Sequence, residues 1–574
     1  MLSFLLLSTI ATRAPDGPNV IIVMTDDQGY GDFGFHGNPL VETPNLDAMA
    51  RASARMTNFY VSPVCTPTRA NLMTGRYNHR TRAIDTWKGR AMLDPDEVTI
   101  AEILRDAGYR TGIFGKWHLG DNYPVRAIDQ GFEEALVHRS GGLAQSADHV
   151  DAPNRYTDPI LWHNGRPVQT EGFCTDVFFD AALEWMTEQH ENGEKFFAYI
   201  PTNAPHGPFH DVPGDLYEHY KKKDLSNKVF EGREGHALPD NVNEDQLARI
   251  FAMIANVDQN VGRLFEKVEE LGISDDTLVI FLNDNGPNTR RYVSGMRGMK
   301  SEVYEGGVRS PMWLHWPGRL EPGAESPCVT AHFDVLPTLL EACGIDVPEG
   351  LRLDGRSFWQ VLTEEEAPWV DRTIVIMAHR GDEPQRYHNF LVRNQRWKLL
   401  HNSKFGRDRF EGDANFELYD MENDPLETKN VASDHPEIVN ELRRAYDKWF
   451  DDVGLTRLDN YGPVRIWTES PDGLPIALHR HEWRVPPDDQ SAGTWQLHVP
   501  ASGSFDVKVY FRTQTNGGTA TLVLNGEAHE SKTVTDGWFR FERIELRAGD
   551  LALGSFMQSG EEIQQAWQIE ISRS

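Results

Sequence analysis

Cys65 and Arg69 stand four residues apart in the run Val64-Cys65-Thr66-Pro67-Thr68-Arg69-Ala70-Asn71-Leu72-Met73-Thr74-Gly75-Arg76. Pro67 has no backbone N–H to donate and suits the first position of a helix, with Thr66 as its N-cap and Gly75 as its stop. That reading leaves Cys65 just outside the helix, where unpaired N–H groups welcome an anion. Arg69 lies about one turn further in, at the helix end that disfavours a cation, so it points to function rather than to helix stability. On this spacing alone, a buried cysteine and a surface arginine explain the pair equally well.

Four more polar groups stand where apolar runs end. Asn19–Thr25 is continuously apolar at strand length and stops at Asp26-Asp27-Gln28-Gly29. Arg110–Phe114 reads as a strand that runs into Lys116-Trp117-His118, and at a two-residue period Lys116 and His118 share a face. Phe196–Ile200 empties into a loop where Pro205 and Pro208 flank His206, and Thr277–Leu282 ends in Asn283-Asp284-Asn285-Gly286. Each group taken singly is ordinary turn or surface chemistry. Between these strands lie helical patterns at Pro44–Ala50, Thr99–Ala107, Phe179–Met186 and Asp245–Leu271. Alternating strands and helices, with buried strands exiting into polar residues, predict an α/β fold built on a large doubly wound mixed sheet flanked by helices. Ligands bind such sheets at the strand C-termini.

The run around Cys65 resembles the signature of the sulfatases, Cys-x-Pro-x-Arg followed by Thr-Gly-Arg, and Lys300 and Glu305-Gly306-Gly307 join the groups above in the family's order. The similarity covers roughly residues 17–452. It implies that a formylglycine-generating enzyme oxidises Cys65 to formylglycine, whose hydrate is the nucleophile. Asp26, Asp27, Asp284, Asn285 and the modified Cys65 would then bind a divalent cation. An all-oxygen set suits calcium, with magnesium as the alternative. Arg69 and Lys116 would hold the diol, and His206 and Lys300 would bind sulfate, His206 donating a proton to the leaving oxygen. His118 would be the base that lets the second hydroxyl expel sulfate. Asn283 departs from the serine that often precedes the Asp-Asn pair.

With 574 residues the chain holds more than one domain. Residues 1–14 read as a signal-peptide remnant: an apolar run from Leu2 to Ala11 precedes Thr12-Arg13-Ala14, without a basic start. Residues 15–335 are the expected catalytic α/β domain, and 336–455 a smaller α+β subdomain with an antiparallel sheet. Composition changes near Asp459-Asn460-Tyr461-Gly462-Pro463, and 456–574 reads as an all-β sandwich with an Asn525-Gly526 hairpin turn. The net charge of −30 argues against nucleic acid or an anionic membrane, so an anionic substrate must be drawn by a local cationic pocket. No stretch reaches the ~18 apolar residues of a membrane span. Cys328 and Cys343 could pair, though nothing in their spacing requires it.

The export signal predicts a secreted or periplasmic sulfatase acting on a sulfated saccharide. The sandwich carries Trp495, Tyr510, Trp538 and Trp567, which could face sugars or fill a core. Two other readings compete: a phosphonate or phosphate ester hydrolase of the same fold, and a non-catalytic glycan-binding protein.

Overall fold

Alternate residues of the first strand go to opposite layers, and the whole fold follows from that. In the computed structural model, which describes residues 16–364, 367–406, 409–456, 462–485, 492–513, 518–531 and 533–574, strand β1 (Asn19–Thr25) is buried along its entire length. Val20, Ile22 and Met24 enter one core with Leu72, Ile100 and Leu339, whereas Ile21 and Val23 enter a second core with Leu46, Phe179 and Val257. A strand covered on both faces can be apolar throughout.

Nine strands join it: β2 (Ala54–Tyr60), β3 (Arg110–Lys116), β4 (Glu134–His138), β5 (Ile160–His163), β6 (Arg166–Gln169), β7 (Phe196–Pro201), β8 (Thr277–Asn283), β9 (Met312–His315) and β10 (Glu325–Ala331). Their order is β10-β2-β9-β8-β1-β7-β3-β4-β5-β6. The central strands β8, β1, β7 and β3 are mutually parallel, with Val20 opposite both Leu278 and Phe197. β9 is antiparallel to both β8 and β2, so β2 runs in the same direction as β8. The mixed α/β sheet is therefore as expected.

Helix α1 (Pro44–Ala52) buries Leu46, Met49 and Ala50. Helix α2 (Cys65–Thr74) corrects the sequence reading of its start. Val64 is the N-cap, Cys65 is already helical and Pro67 is third. Pro67 still fits, because the first-turn N–H groups have no intrahelical acceptor. Gly75 ends α2 at φ 64, donating its N–H to Asn71 O. Helix α3 (Ile100–Asp106) is capped by Thr99, and helix α4 (Cys174–Glu191) outruns the expected Phe179–Met186 at both ends.

Strands β11 (Ile374–Met377), β12 (Phe390–Arg393), β13 (Trp397–His401) and β14 (Glu417–Asp420) form an antiparallel sheet on which the helix Pro436–Trp449 packs through Leu442 and Tyr446. Lys398 of β13 ties this sheet to the large one, its Nζ lying 2.8 Å from Glu305 and 2.7 Å from Glu427. The composition change at Asp459–Tyr461 and the apolar start at 1–14 lie outside the described residues.

The C-terminal strands make two facing sheets around Leu497, Val507, Val509, Phe541 and Ile569. Trp495 is in that core, donating to His479 O at 2.8 Å. The guanidiniums of Arg480 and Arg512 each lie 4.9 Å from the centre of the half-buried Trp567 ring. Asn525 and Gly526 make the two-residue turn with φ 47 and 89. Met92 and Val125 of the large unit complete the sandwich core, so the two parts share packing. All four cysteines are free thiols, and no described helix is long and apolar enough to cross a membrane.

Gly286, Gly306 and Gly307 let two loops touch backbone to backbone. A Cβ on Gly286 would lie 2.1 Å from Gly306 O, and one on Gly307 would lie 2.0 Å from Glu302 O. Gly286→Ala should therefore cost about 1–3 kcal/mol of stability, because only backbone movement relieves the overlap. A melting temperature equal to that of the parent would contradict this packing account.

Candidate active site

The parallel strands deliver their polar exits to one place. Asp26 and Asp27 follow β1, Asp284 and Asn285 follow the neighbouring β8, and Lys116 ends β3. Backbone bonds lock the exits together: Asp284 N donates to Thr25 O at 3.0 Å, and Asp26 N to Ala204 O at 3.1 Å. α2, which follows β2, brings Arg69 across. The Arg69 Nη2 lies 2.8 Å from Asp284 Oδ2, and its Nη1 donates to Lys116 O at 2.8 Å. Lys116 Nζ is 2.6 Å from Asp26 Oδ2, and Lys300 pairs with Asp27 Oδ1. Asn285 Nδ2 donates to Asp27 Oδ1 at 2.8 Å. All of these side chains are buried except that of Lys300, which is partly exposed.

Three oxygen atoms of this cluster have no hydrogen-bond donor among the described residues: Asp26 Oδ1, Asp27 Oδ2 and Asn285 Oδ1. Buried acceptors without partners are costly, and hard oxygens in a group are what a divalent cation takes. Asp26, Asp27 and His206 place ligand atoms within 4.8 Å of one another. Burial, together with the Asp26 charge, raises the Asp284 carboxyl to about 6 against Arg69 and Lys116. Burial would also raise Asp27, but Lys300 and His206 hold it well below the carboxylate range. A cation among these oxygens relieves the crowding of like charge, so the residues present fit one.

His118 sits beyond the end of β3, and here the shared-face reading of Lys116 and His118 needs correction. The strand stops at Lys116 and His118 turns left-handed at φ 56, so a bend brings both residues inward while Trp117 packs into the core. His118 Nε2 lies 2.9 Å from Thr86 O, which only an N–H can approach; Nδ1 therefore holds the free lone pair, buried and without a partner. Burial first, then Lys116 and Arg69, push this imidazole well below its ordinary range, so it is neutral. His206 Nδ1 meets Gly207 O at 2.6 Å, leaving Nε2 3.7 Å from Asp27 Oδ2. Burial lowers His206 to about 4, despite the opposing pull of Asp27. Burial also raises the Cys65 thiol, against Lys116 and Lys300.

Cys65, His118, His206 and Lys300 line one cavity of about 380 Å³. Its remaining wall contains residues that the sequence reading missed: Thr86, Trp87 and Gln145, Arg380 and Phe405 near the small sheet, and His481 from the sandwich. Gly141 and Gly142 form the shelf under the histidines. A Cβ on Gly141 would lie 2.9 Å from His118 Cε1, and one on Gly142 would lie 3.2 Å from His206 Nδ1. A Gly-Gly pair shortly after a strand was the available signal. Arg291 steadies the acidic turn, its Nη2 reaching Asp27 O at 2.9 Å and Asp32 Oδ2 at 2.6 Å. A larger cavity of about 450 Å³ near Phe230 and Tyr292 is lined by none of the predicted residues.

Comparison with known proteins gives a consistent picture. The family model described as Sulfatase matches residues 18–345, and the one described as N-sulphoglucosamine sulphohydrolase, C-terminal, matches 299–450. Arylsulfatase A of Bos taurus is 34% identical over 379 residues, covering 62% of this chain and 69% of that protein. The N-acetylglucosamine-6-O-sulfatase of Bacteroides thetaiotaomicron is 25% identical, covering 72% of this chain and 82% of its own length. The solved structure of Ps i-CgsB with k-i-k-neocarrahexaose is similar with a TM-score of 0.64 at 25% identity, covering 78% of this chain and 99% of that one.

Proposed function

The chain belongs to the sulfatase family, and on that premise we propose that it hydrolyses sulfate esters of saccharides at formylglycine made from Cys65, assisted by calcium. The observation that carries this reading is the set of buried oxygens on Asp26, Asp27 and Asn285 that have no donor among the described residues, gathered with Asp284 beside the cavity that Cys65 lines. These four residues and residue 65 would hold the cation. An all-protein oxygen cage favours calcium over magnesium, which keeps several waters. Bound there, the cation supplies Lewis-acid polarisation of a sulfate oxygen. Formylglycine supplies, as its hydrate, an oxygen nucleophile with a second hydroxyl.

The other side chains have separable tasks. Arg69 and Lys116, fixed by carboxylates, put positive charge next to residue 65. Lys300 and His206 line the cavity where a sulfate would lie. The tautomer of His118 suits proton transfer, its free Nδ1 accepting. His206, whose Nδ1–H is held by Gly207 O, keeps its lone pair on Nε2. It delivers a proton to the leaving oxygen from that nitrogen only after being protonated there, which a bound sulfate anion would favour. α2 is buried throughout, with Cys65 only 2% exposed, so a formylglycine-generating enzyme must reach residue 65 before the chain closes over it. The relatives named for N-acetylglucosamine 6-O-sulfate and crystallised with a neocarrahexaose support a saccharide substrate. The apolar run from Leu2 supports a secreted or periplasmic setting.

Active preparations should carry formylglycine in the tryptic peptide containing residue 65, and Cys65→Ala should lower sulfate release by about 10⁴-fold or more. Full activity from protein holding only unmodified cysteine would overturn the assignment. A matched phosphonate ester should be cleaved more slowly than its sulfate counterpart; the reverse order would favour the phosphonate hydrolase. Removing the metal should abolish turnover, and calcium should restore it. At a hundredfold excess over its Kd, calcium should also stabilise the stripped protein by about 2.7 kcal/mol, an effect that Asn285→Ala should diminish. A zinc or iron ion that cannot be exchanged without loss of activity would contradict this metal site.

A further inference from the structure

The lining of the cavity around Cys65 includes three residues that the proposed chemistry leaves unused, Trp87, Gln145 and His481. Each carries a buried polar atom with no hydrogen-bond partner among the described residues: Trp87 Nε1, Gln145 Oε1 and His481 Nδ1. Such orphaned groups are costly unless something satisfies them. Trp87 Nε1 can only donate and Gln145 Oε1 can only accept, while a neutral imidazole does one at each nitrogen. Burial first, then His479, lowers the His481 imidazole to about 3, so it is neutral. An uncharged mixture of donors and acceptors suits hydroxyl groups, which do both.

The sandwich supplies one of the three and grips the loops that carry the other two. The strand Ile476–His479 ends just before His481 and is tied to the turn after His118. Asn122 Nδ2 donates to Ala477 O at 2.9 Å, and Asn122 Oδ1 accepts from Ala477 N at 3.1 Å. Gly89 N donates to His481 O at 2.7 Å, which fixes the turn after Trp87. A Cβ on Gly89 would lie 2.8 Å from Glu482 O, so that turn is pressed against the sandwich loop. On the other side, Gln568 Nε2 of the strand Gln568–Arg573 donates to Ser146 O at 3.0 Å and to Asp148 O. Gln145 O in turn accepts from Asp148 N at 3.2 Å. A Cβ on Gly142 would lie 3.2 Å from both Gln145 Nε2 and His206 Nδ1, so the amide and the imidazole share the glycine shelf.

We propose that His481, Gln145 and Trp87 are specificity-determining residues that hydrogen-bond the ring hydroxyls of the sugar bearing the sulfate, and that the sandwich sets their positions. Gln145, beside the His206 ring, meets the sugar next to its leaving oxygen. The substrate class is then a hydroxyl-rich ring, and an aryl ester lacks what this part of the wall holds. A site built to hydrogen-bond a hydroxyl discriminates strongly against an analogue without one, because its buried groups are then left unpaired. A module that contributes none of the predicted catalytic residues thereby selects the alcohol. The proposal rests on the sulfatase reading for its reaction, but its binding step can be tested without turnover.

Full-length protein carrying formylglycine would be assayed on N-acetylglucosamine 6-sulfate, N-acetylgalactosamine 6-sulfate, galactose 4-sulfate and a neocarrabiose sulfate, each against 4-nitrophenyl sulfate. At least one sugar ester should exceed the aryl ester in kcat/KM by about tenfold or more. His481→Ala and Gln145→Ala should each cut that ratio by about tenfold, and Trp87→Phe, which removes the N–H but keeps a ring, should cut it in the same sense. Residues that merely support the fold would lower both substrates alike. An unchanged ratio in either alanine variant overturns the proposal, as does an aryl ester preferred over every sugar. If the parent releases no sulfate from any ester, the sulfatase reading falls. Wherever turnover is lacking, in parent or variant, calorimetry on the full-length Cys65→Ala protein decides the role of the wall. There the best-bound sugar sulfate should lose about fivefold or more in affinity when His481→Ala is added, and absent or unchanged binding overturns the proposal.

Discussion

Three carboxylates, Asp26, Asp27 and Asp284, are buried side by side, and the rest of the structure answers that constraint. Each has its own cation: Lys116 on Asp26, Lys300 on Asp27, Arg69 on Asp284. Removing one partner from such a buried pair costs about 3–5 kcal/mol, because the remaining charge stays desolvated. Even so paired, the cluster keeps three acceptor oxygens without donors among the described residues, which is why a divalent cation belongs with it. The cations then have a double task. They make the carboxylates tolerable in the core, and they supply positive charge where a sulfate ester would react.

The scaffold brings this charge together by strand direction. β8, β1, β7 and β3 are parallel neighbours, so their exits open on the same edge, and β2 points the same way and delivers α2. Close backbone contact behind Asp284-Asn285 explains why Gly286, Gly306 and Gly307 recur together in the sequence pattern. Glu305, from the same stretch, has another task. It is not part of the cavity lining but bonds with Arg309 and with Lys398 of the small sheet, joining that sheet to the large unit. A motif read as one unit therefore divides into packing and joining.

The C-terminal sandwich is part of the pocket. His481 lines the same cavity as Cys65, His118 and His206, and Val485 lines a neighbouring one. The contact is polar and specific: Asn122 Nδ2 donates to Glu482 Oε2 at 2.7 Å, and His479 Nε2 lies 3.0 Å from Asp121 Oδ2. Its most buried tryptophan, Trp495, fills a core, whereas Trp567 and the Tyr510–Trp538 pair are half-buried, and the residue it gives to the cavity with Cys65 is His481.

The amino-acid sequence by itself determined which polar groups stand at the strand exits and which elements carry them. Asp26-Asp27, Lys116, His118, His206 and Asp284-Asn285 follow apolar runs, and burial of both strand faces makes such runs legible, whereas Lys300 was legible only through the resemblance. Local chemistry also showed the Gly75 stop and the Asn525-Gly526 turn, since positive φ at those points depends on residue type. Only tertiary structure decided the rest. Pro67 is tolerated at any first-turn position, so the start of α2 at Cys65 depended on packing. The tautomers of His118 and His206 depend on carbonyls of other segments or of a turned backbone, Thr86 O and Gly207 O. Trp87, Arg380 and His481 are nearly 400 residues apart from first to last, and no local pattern links them. They meet because strand order and the seat of the sandwich bring their loops to one edge, and long-range packing of that kind leaves no periodic trace in the chain.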